Sequence, residues 1–323
     1  MTAHPLPCLV LTDGRAGNLR QARALALALG HEAPAERVLQ ARAPWRWLAP
    51  RRLPGVHRAW GGTLSEALEH PPALVIGCGR QAALATREFR RRGSRAVQIL
   101  DPRIDSRHWD VVVAPAHDRV NGTNVVTLTG SLHPVDEGWL ATARREFPAP
   151  GRLPGPRVAL LLGGPIAAAP LDAAWWRQTH DALGRWRASL GGSLLLGCSP
   201  RTPPRLATQV GSAWPDWHGL RWHGAADGPN PYPGLLAWAD HIVVSPDSVN
   251  MVSEACATTA TVSVAGIARC SGRQRRFLDD LLARGRIAEL AEAPPTAPVT
   301  PLRETQQAAR AIRERLQSTS PAG

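Results

Sequence analysis

Between Ile242 and Glu254 the chain reads Ile-Val-Val-Ser-Pro-Asp-Ser-Val-Asn-Met-Val-Ser-Glu, a short apolar run, a polar turn and the opening of a helix. A junction of this kind can hold phosphate. Asp247 or Ser248 can cap the helix, and its first unpaired N–H groups and positive dipole end face the space beyond the strand. Asn250, Met251 and Ser253 fall in the first turns, and Glu254, about two turns in, is placed to accept from a ribose hydroxyl. Read structurally, the same residues are an ordinary cap and a solvated glutamate. Neighbouring strand tips bear on the choice. Gly163-Gly164 ends a Leu-rich run and lets backbone come close to a phosphate. Ser199, Arg201 and Thr202 end the next run, as a diphosphate clamp or simply as a cap. Asn230-Pro231-Tyr232 precedes a helix and offers a ring to stack on a base, or backbone to read its edge. In order, these make a glycine turn, an arginine turn, a base-reading loop and a phosphate-facing helix, the pattern of a sugar-nucleotide donor site.

In the first half, Thr12-Asp13-Gly14-Arg15-Ala16-Gly17-Asn18 follows the first apolar run and leads into a helix. Asp13 at this tip can act as a general base on an acceptor hydroxyl, or can merely satisfy turn backbone. His117 and His133, in two later polar tips, can exchange protons near neutral pH, although a lone histidine in such a place is commonly a hydrogen-bonded structural group. The turn after the first run lacks Gly-x-Gly-x-x-Gly and a P-loop lysine, and no Gly-x-Ser-x-Gly elbow occurs. Standard dinucleotide, triphosphate and serine-hydrolase fingerprints are therefore excluded.

The elements that must position these residues alternate. Apolar runs at Cys8–Leu11, Leu74–Ile76, Val97–Leu100, Val111–Val113 and Val125–Leu128 are separated by helical or loop segments such as Leu19–Leu29 and Gln81–Arg91. The rhythm repeats in the second half, at Val158–Leu162, Leu194–Leu196, Ile242–Val244 and Val262–Val264, with helical spacing through Trp175–Leu190, near Arg205, from Ser248 and through Phe277–Leu282. This predicts an α/β fold of two Rossmann-like, doubly wound parallel-sheet domains facing a cleft, whose ligands bind beyond the carboxyl ends of the strands. The Pro- and Gly-rich stretch Pro148–Pro156 reads as the linker. It divides the chain into residues 1–150 and 151–323, with a closing helix from Arg303 to Leu316 that packs on either domain. The tryptophans read as core or interface anchors.

Composition limits the partners. The 323 residues carry a net charge of +12, yet no lysine occurs, so every side-chain cation but histidine is arginine. Such an exclusion looks like genomic base composition of a bacterium and not like selection for a polyanion. Guanidinium forks still suit nucleotides, anionic lipids and acidic glycans, so peripheral contact with an anionic membrane stays compatible. The arginines are scattered and no reader motif appears, so no nucleic-acid partner is expected. The 5 cysteines are odd in number and mostly sit in apolar segments, which argues against a disulfide framework or a zinc site. Met1–Pro7 lacks a signal-peptide core, and no apolar run reaches the roughly 18 residues of a membrane span. A cytoplasmic chain, at most peripheral to the inner membrane, is the expectation.

Thr12–Gly17 with Gln21, Ile99-Leu100-Asp101-Pro102-Arg103, Pro115-x-His117-Asp118, Asn230-Pro231-Tyr232 and Asp247–Ala255 together resemble the mitochondrial fission Elm-type family, including its bacterial members, across nearly the whole chain. That resemblance implies a GT-B-like architecture and, for the bacterial members, a glycosyltransferase. Plant members are associated with recruiting a dynamin-like protein to mitochondria, a role that a bacterial-looking composition does not carry over. By resemblance, residues 1–150 are the acceptor side and 151–323 the donor side, and Ser248, Asn250, Ser253 and Glu254 match the donor-side motif and Asp13 the acidic position of the first loop. Two departures stand out: Thr259-Ala260-Thr261 replaces a Gly-Lys-Pro-like turn, and Ser199-Pro200-Arg201 lacks an arginine at its middle position.

The expected activity is transfer of a sugar from a nucleotide diphosphate donor to a hydroxyl of a cell-envelope glycan or glycolipid. No metal and no cofactor is needed, because helix N–H groups, Arg201 and either Arg269 or Arg273 offset charge on the leaving diphosphate, a task other enzymes give to a metal. The alternatives are a non-catalytic adaptor on the same scaffold and a sugar-nucleotide epimerase.

Overall fold

The computed structural model describes residues 8–318; Met1–Pro7, read above for a leader, lies outside the described residues. The chain divides into two compact units, one running to Pro134 and resuming at Glu304, the other spanning Val135–Arg303.

In the first unit β1 (Cys8–Thr12), α1 (Ala16–Ala28), β2 (Ala35–Val38), the short helices α2 (Trp45–Leu48) and α3 (Ser65–Glu69), β3 (Leu74–Cys78), α4 (Arg80–Arg90), β4 (Arg95–Ile99), β5 (Val111–Pro115) and β6 (Val125–Leu128) follow one another. The strands form one parallel sheet in the order β2-β1-β3-β4-β5-β6. β1, β3 and β5 are buried along their whole length, as strands covered by helices on both faces must be.

The second unit contains α5 (Glu137–Glu146), β7 (Arg157–Leu162), α6 (Ala173–Leu190), β8 (Ser193–Cys198), α7 (Pro204–Gly211), β9 (Gly219–Trp222), α8 (Tyr232–Trp238), β10 (His241–Val244), α9 (Val249–Cys256), β11 (Thr261–Val264), α10 (Gly272–Ala283) and β12 (Ala288–Glu289). Its six strands are also all parallel, in the order β12-β11-β10-β7-β8-β9. Counted from β7 this is the 3-2-1-4-5-6 order of dinucleotide-binding sheets, with the winding reversing between β7 and β10. In the first sheet the reversal lies between β1 and β3. The two-domain α/β expectation is thus met, each unit having its own doubly wound sheet with apolar cores on both faces.

The division does not fall at the Pro- and Gly-rich stretch. That stretch belongs to the second unit: Trp238 Nε1 donates to Phe147 O at 2.8 Å, Arg157 reaches Gly151 O at 3.0 Å, and a Cβ on Gly151 would meet the Trp238 ring at 2.6 Å. The prolines shape a packed turn, and α5 before them lies against α8. The final helix α11 (Thr305–Ser318) belongs to the first unit, contacting α1. Just before it, the Glu304 carboxylate accepts from the amides of Thr129 and Gly130 at 2.8 and 3.1 Å. Three strands were not foreseen, β2, β9 and β12. All are edge strands, half wet and without a continuous apolar run, as β2 with Ala-Glu-Arg-Val illustrates.

Three fully buried tryptophans anchor the cores. Trp109, Trp175 and Trp186 are fully buried, and their indole N–H groups donate to Thr86 Oγ1, Ala265 O and Ala291 O at 2.7, 2.7 and 2.9 Å. Trp47 on α2 departs from that reading, standing 62% exposed. All five cysteines are free and buried. Burial pushes the thiols of Cys8 and Cys256 up to about 12 and those of Cys198 and Cys270 up to about 11, so none is a thiolate at neutral pH. Among the described residues no helix is long and apolar enough to cross a membrane, and no metal-holding group of His, Cys, Asp and Glu occurs.

Candidate functional site

The second sheet brings Gly163-Gly164, Ser199–Thr202 and Ser245–Ser248 together, because β7 lies between β8 and β10 and all three end at the same edge. Asp247 is the hub of these loops. Its side chain is wholly buried and accepts from the Gly164 amide at 3.0 Å, from Ser245 Oγ at 2.7 Å and from Arg201 Nη2 at 2.6 Å. A buried carboxylate without such donors would cost several kcal/mol, so the three contacts are what permit it. Ser245 Oγ in turn accepts from the Gly163 amide at 2.8 Å. Thr202 Oγ1 accepts from the Ser199 amide at 3.0 Å and lies 2.6 Å from Gly163 O, to which it donates. Arg201 also reaches Gly164 O at 3.4 Å, and its side chain remains half exposed.

This geometry gives several candidates a structural task. Asp247 does not cap the helix; Ser248 does, accepting from the Met251 amide at 3.3 Å. The paired glycines leave room for protein: a Cβ on Gly163 would lie 2.1 Å from Asp247 Oδ2, and one on Gly164 2.1 Å from Arg201 O. Ser199 and Thr202 are turned onto their own loop. What faces outward is the half-exposed Arg201 guanidinium and the first turn of α9, where Ser248, Val249, Asn250 and Met251 are all partly exposed. The Arg201–Asp247 pair is neutral overall, so Arg201 offers N–H donors in a fixed fork more than a net positive charge.

Deeper along α9, Ser253 Oγ donates back to Val249 O at 2.7 Å, and Glu254 is 1% exposed. Glu254 Oε2 accepts from the Tyr232 hydroxyl at 2.6 Å. The glutamate, read either as ribose-facing or as solvated, is buried and already engaged with a hydroxyl, which Tyr232 supplies from the start of α8. Asn230 Oδ1 accepts from the Tyr232 amide at 3.0 Å and so closes the turn that aims this ring. Sequence reasoning passed over Ser245, the buried bridge between Gly163 and Asp247, and Gln274, which donates to Pro246 O. The Ser-Pro-Asp spacing carried the first signal; nothing local marked the second. Arg269 pairs with Asp172 at the start of α6, which ties it to that helix.

In the first unit Asp13 sits at the winding reversal. Its Oδ1 accepts from Asn18 Nδ2 at 2.8 Å and from the Arg15 amide at 3.2 Å, and its side chain is 19% exposed. The turn after β3 closes on it, since a Cβ on Gly79 would lie 3.4 Å from Asp13 Oδ2. The histidines do not join it. His117 follows β5, three strands from β1 or roughly 14 Å, and His133 follows β6, four strands or roughly 19 Å. The His117 ring lies 3.6 Å from Asp118, both side chains buried. His133 is 4% exposed, its backbone amide and carbonyl clasping Thr305 Oγ1 at 3.0 and 2.8 Å. The loop after β6 is thus covered by the returning C-terminal segment, with residues 129–133 all buried.

Known proteins agree with this architecture. The fold is that of GT-B glycosyltransferases and related epimerases. The UDP-GlcNAc 2-epimerase of Neisseria meningitidis, solved bound to UDP-GlcNAc, superposes with a TM-score of 0.52 at 12% identity over 97% of this chain and 100% of that one. MurG of Acinetobacter baumannii gives 0.51 at 14% identity over 98% and 96%. In sequence, the mitochondrial fission protein ELM1 of Arabidopsis thaliana is 31% identical over 279 residues, a match covering 76% of this chain and 64% of the plant protein. The family model for mitochondrial fission ELM1 matches residues 16–316. On that match, the chain belongs to the mitochondrial fission ELM1 family.

Proposed function

We propose that this protein is a glycosyltransferase that binds a nucleotide diphosphate sugar on its second unit and passes the sugar to a hydroxyl of a cell-envelope glycan or glycolipid. The observation that carries the reading is the start of α9 at the winding reversal between β7 and β10, with Glu254 buried behind it against a hydroxyl. Open parallel sheets take their ligands at that edge, and helix N–H groups suit a diphosphate. In this reading Arg201 and the first amides of α9 hold the diphosphate, so charge on the leaving group needs no metal. A ribose hydroxyl takes the position at Glu254 that the Tyr232 hydroxyl now holds, and the Tyr232 ring is freed to lie against the base. Asp13 is the carboxylate assigned to the acceptor hydroxyl. One of the structural relatives supports the donor class, having been solved bound to UDP-GlcNAc.

Thermal shift with UDP, GDP, CMP and dTDP tests the donor half, since selective binding raises the melting midpoint with concentration. Glu254→Gln should abolish the shift of the preferred nucleotide. Release of nucleoside diphosphate from the matching sugar nucleotides then tests transfer, with Asp13→Asn lowering turnover and leaving donor binding intact. A panel in which no nucleotide shifts the midpoint would sink the reading. Because an epimerase shares the fold, products are also analysed without acceptor: an epimerised donor would assign that activity instead.

A further inference from the structure

The amino edge of the first sheet, opposite the Asp13 tip, holds a cavity of about 680 Å³ lined by arginines. Arg87, Arg90 and Arg91 come from the end of α4, Arg95 from the start of β4, and Arg52 from the segment after α2; His108 closes one side. Against these five guanidiniums the lining contains one carboxylate, Asp110, which already serves two of them, at 3.3 Å from Arg90 and 3.6 Å from Arg95. Arg52 pairs with the buried Glu88, which Arg92 also contacts at 3.0 Å. Arg91 is exposed and forms no ion pair among the described residues.

Arginines at a helix C-terminus often serve the last carbonyls, and part of this cluster does so, Arg92 reaching Glu88 O at 3.1 Å. That account does not extend to Arg52 and Arg95, which arrive from other segments, nor to the excess of charge. Arg52, Arg90 and Arg95 are about one-third exposed, so their heads are partly stripped of water. Converging guanidiniums in a half-desolvated hollow of small-ligand size match the oxygen geometry of phosphate. His108, burdened by burial and by Arg87 beside it, is held below its ordinary pKa, which leaves the ring neutral and able to accept or donate there.

We infer that this arginine-lined hollow is an anion site for a phosphate-bearing group, a phosphomonoester or a diphosphate, separate from the nucleotide site of the second unit. Hydrogen exchange of the full chain with and without inorganic pyrophosphate tests it locally. Protection is expected in peptides covering residues 87–95 and 105–110, and it should vanish in Arg91→Glu. In Arg91→Ala the pyrophosphate affinity of this site should fall roughly tenfold, the loss of one charged hydrogen bond. Both variants should keep the ligand-free melting midpoint; if Arg91→Glu does not, Arg91→Gln removes the charge with less disturbance. No protection in those peptides, or protection unchanged in the variants, overturns the site whatever nucleotides do at Glu254. Co-sedimentation with phosphatidylcholine vesicles containing phosphatidic acid separates the sources. Sedimentation that pyrophosphate competes away and Arg91→Glu abolishes assigns a lipid headgroup, and pyrophosphate protection without sedimentation assigns a soluble phosphate.

Discussion

The two winding reversals, one in each sheet, put a carboxylate at the tip of a parallel strand and use it in opposite ways. In the second sheet Asp247 is fully buried and holds three loops by one amide, one hydroxyl and one guanidinium. In the first sheet Asp13 stays partly wet and, among the described residues, accepts from its own turn, from the Arg15 amide and Asn18 Nδ2. The difference teaches that a shared winding reversal does not fix the role of its polar tip. A carboxylate that satisfies buried donors is a structural hub, and one left near water with spare acceptor capacity is available for chemistry.

The comparison breaks most readily at the glycines. Gly163→Ala drives a methyl to 2.1 and 2.3 Å from the Asp247 oxygens, where nothing can yield without giving up a buried partner, so a loss of at least about 3 kcal/mol is expected. Gly79→Ala is strained by its φ of +95° and meets Asn18 at 2.9 Å, a flexible amide, so about 1–2 kcal/mol is expected. Urea midpoints of the two variants measure the gap, and equal losses would erase the distinction. Next comes Asp247→Asn, which strips charge from the Arg201 pair and turns an amide N–H toward donors. Because Arg201 is half exposed, the expected cost is about 2 kcal/mol and not the full value of a buried pair. Asp13→Asn should cost under about 1 kcal/mol, so turnover and not stability is where it shows.

Tyr232→Phe removes the donor to a buried carboxylate and should cost about 1–2 kcal/mol. A double-mutant cycle with Glu254→Gln sharpens this, since additivity of the two single losses would mean the 2.6 Å contact carries no energy. The smallest effect is set by pH. Burial lowers the pKa of His241, whose Nδ1 meets Thr261 Oγ1 at 2.7 Å. A histidine held neutral in the folded chain takes up its proton more readily when unfolded. Stability is therefore full above the ordinary histidine pKa of about 6.5 and declines as pH falls below it. Melting midpoints at pH 7 and pH 5 should differ less in His241→Asn than in the parent, with a remainder from His31 and His108, which are lowered too.

Much of this was legible along the chain. Nine strands, the eight central ones and the edge strand β6, announced themselves as apolar runs between helical segments, Ser248 was named as a cap, and the ordered motifs pointed to the family that the comparisons then showed. The edge strands β2, β9 and β12 escaped because a half-wet edge needs no apolar run. Asp247 was read as a cap alternative because capping is the local use of an aspartate before a helix; two of its three partners lie 46 and 83 residues away. Likewise the prolines of 148–156 look like a linker in composition, and only their packing on Trp238 shows otherwise.

The sequence alone determined most of the strands and the major helices between them, and hence two doubly wound parallel sheets, because apolar periodicity and end caps act over a few neighbouring residues. The tertiary structure decided which strands became neighbours, and so where each winding reverses, that Glu254 meets the Tyr232 hydroxyl, and that α11 returns to the first unit to seal the loop holding His133. Those outcomes depend on pairing between distant segments, and the energy of a buried polar group is set by the partners that such pairing delivers to it.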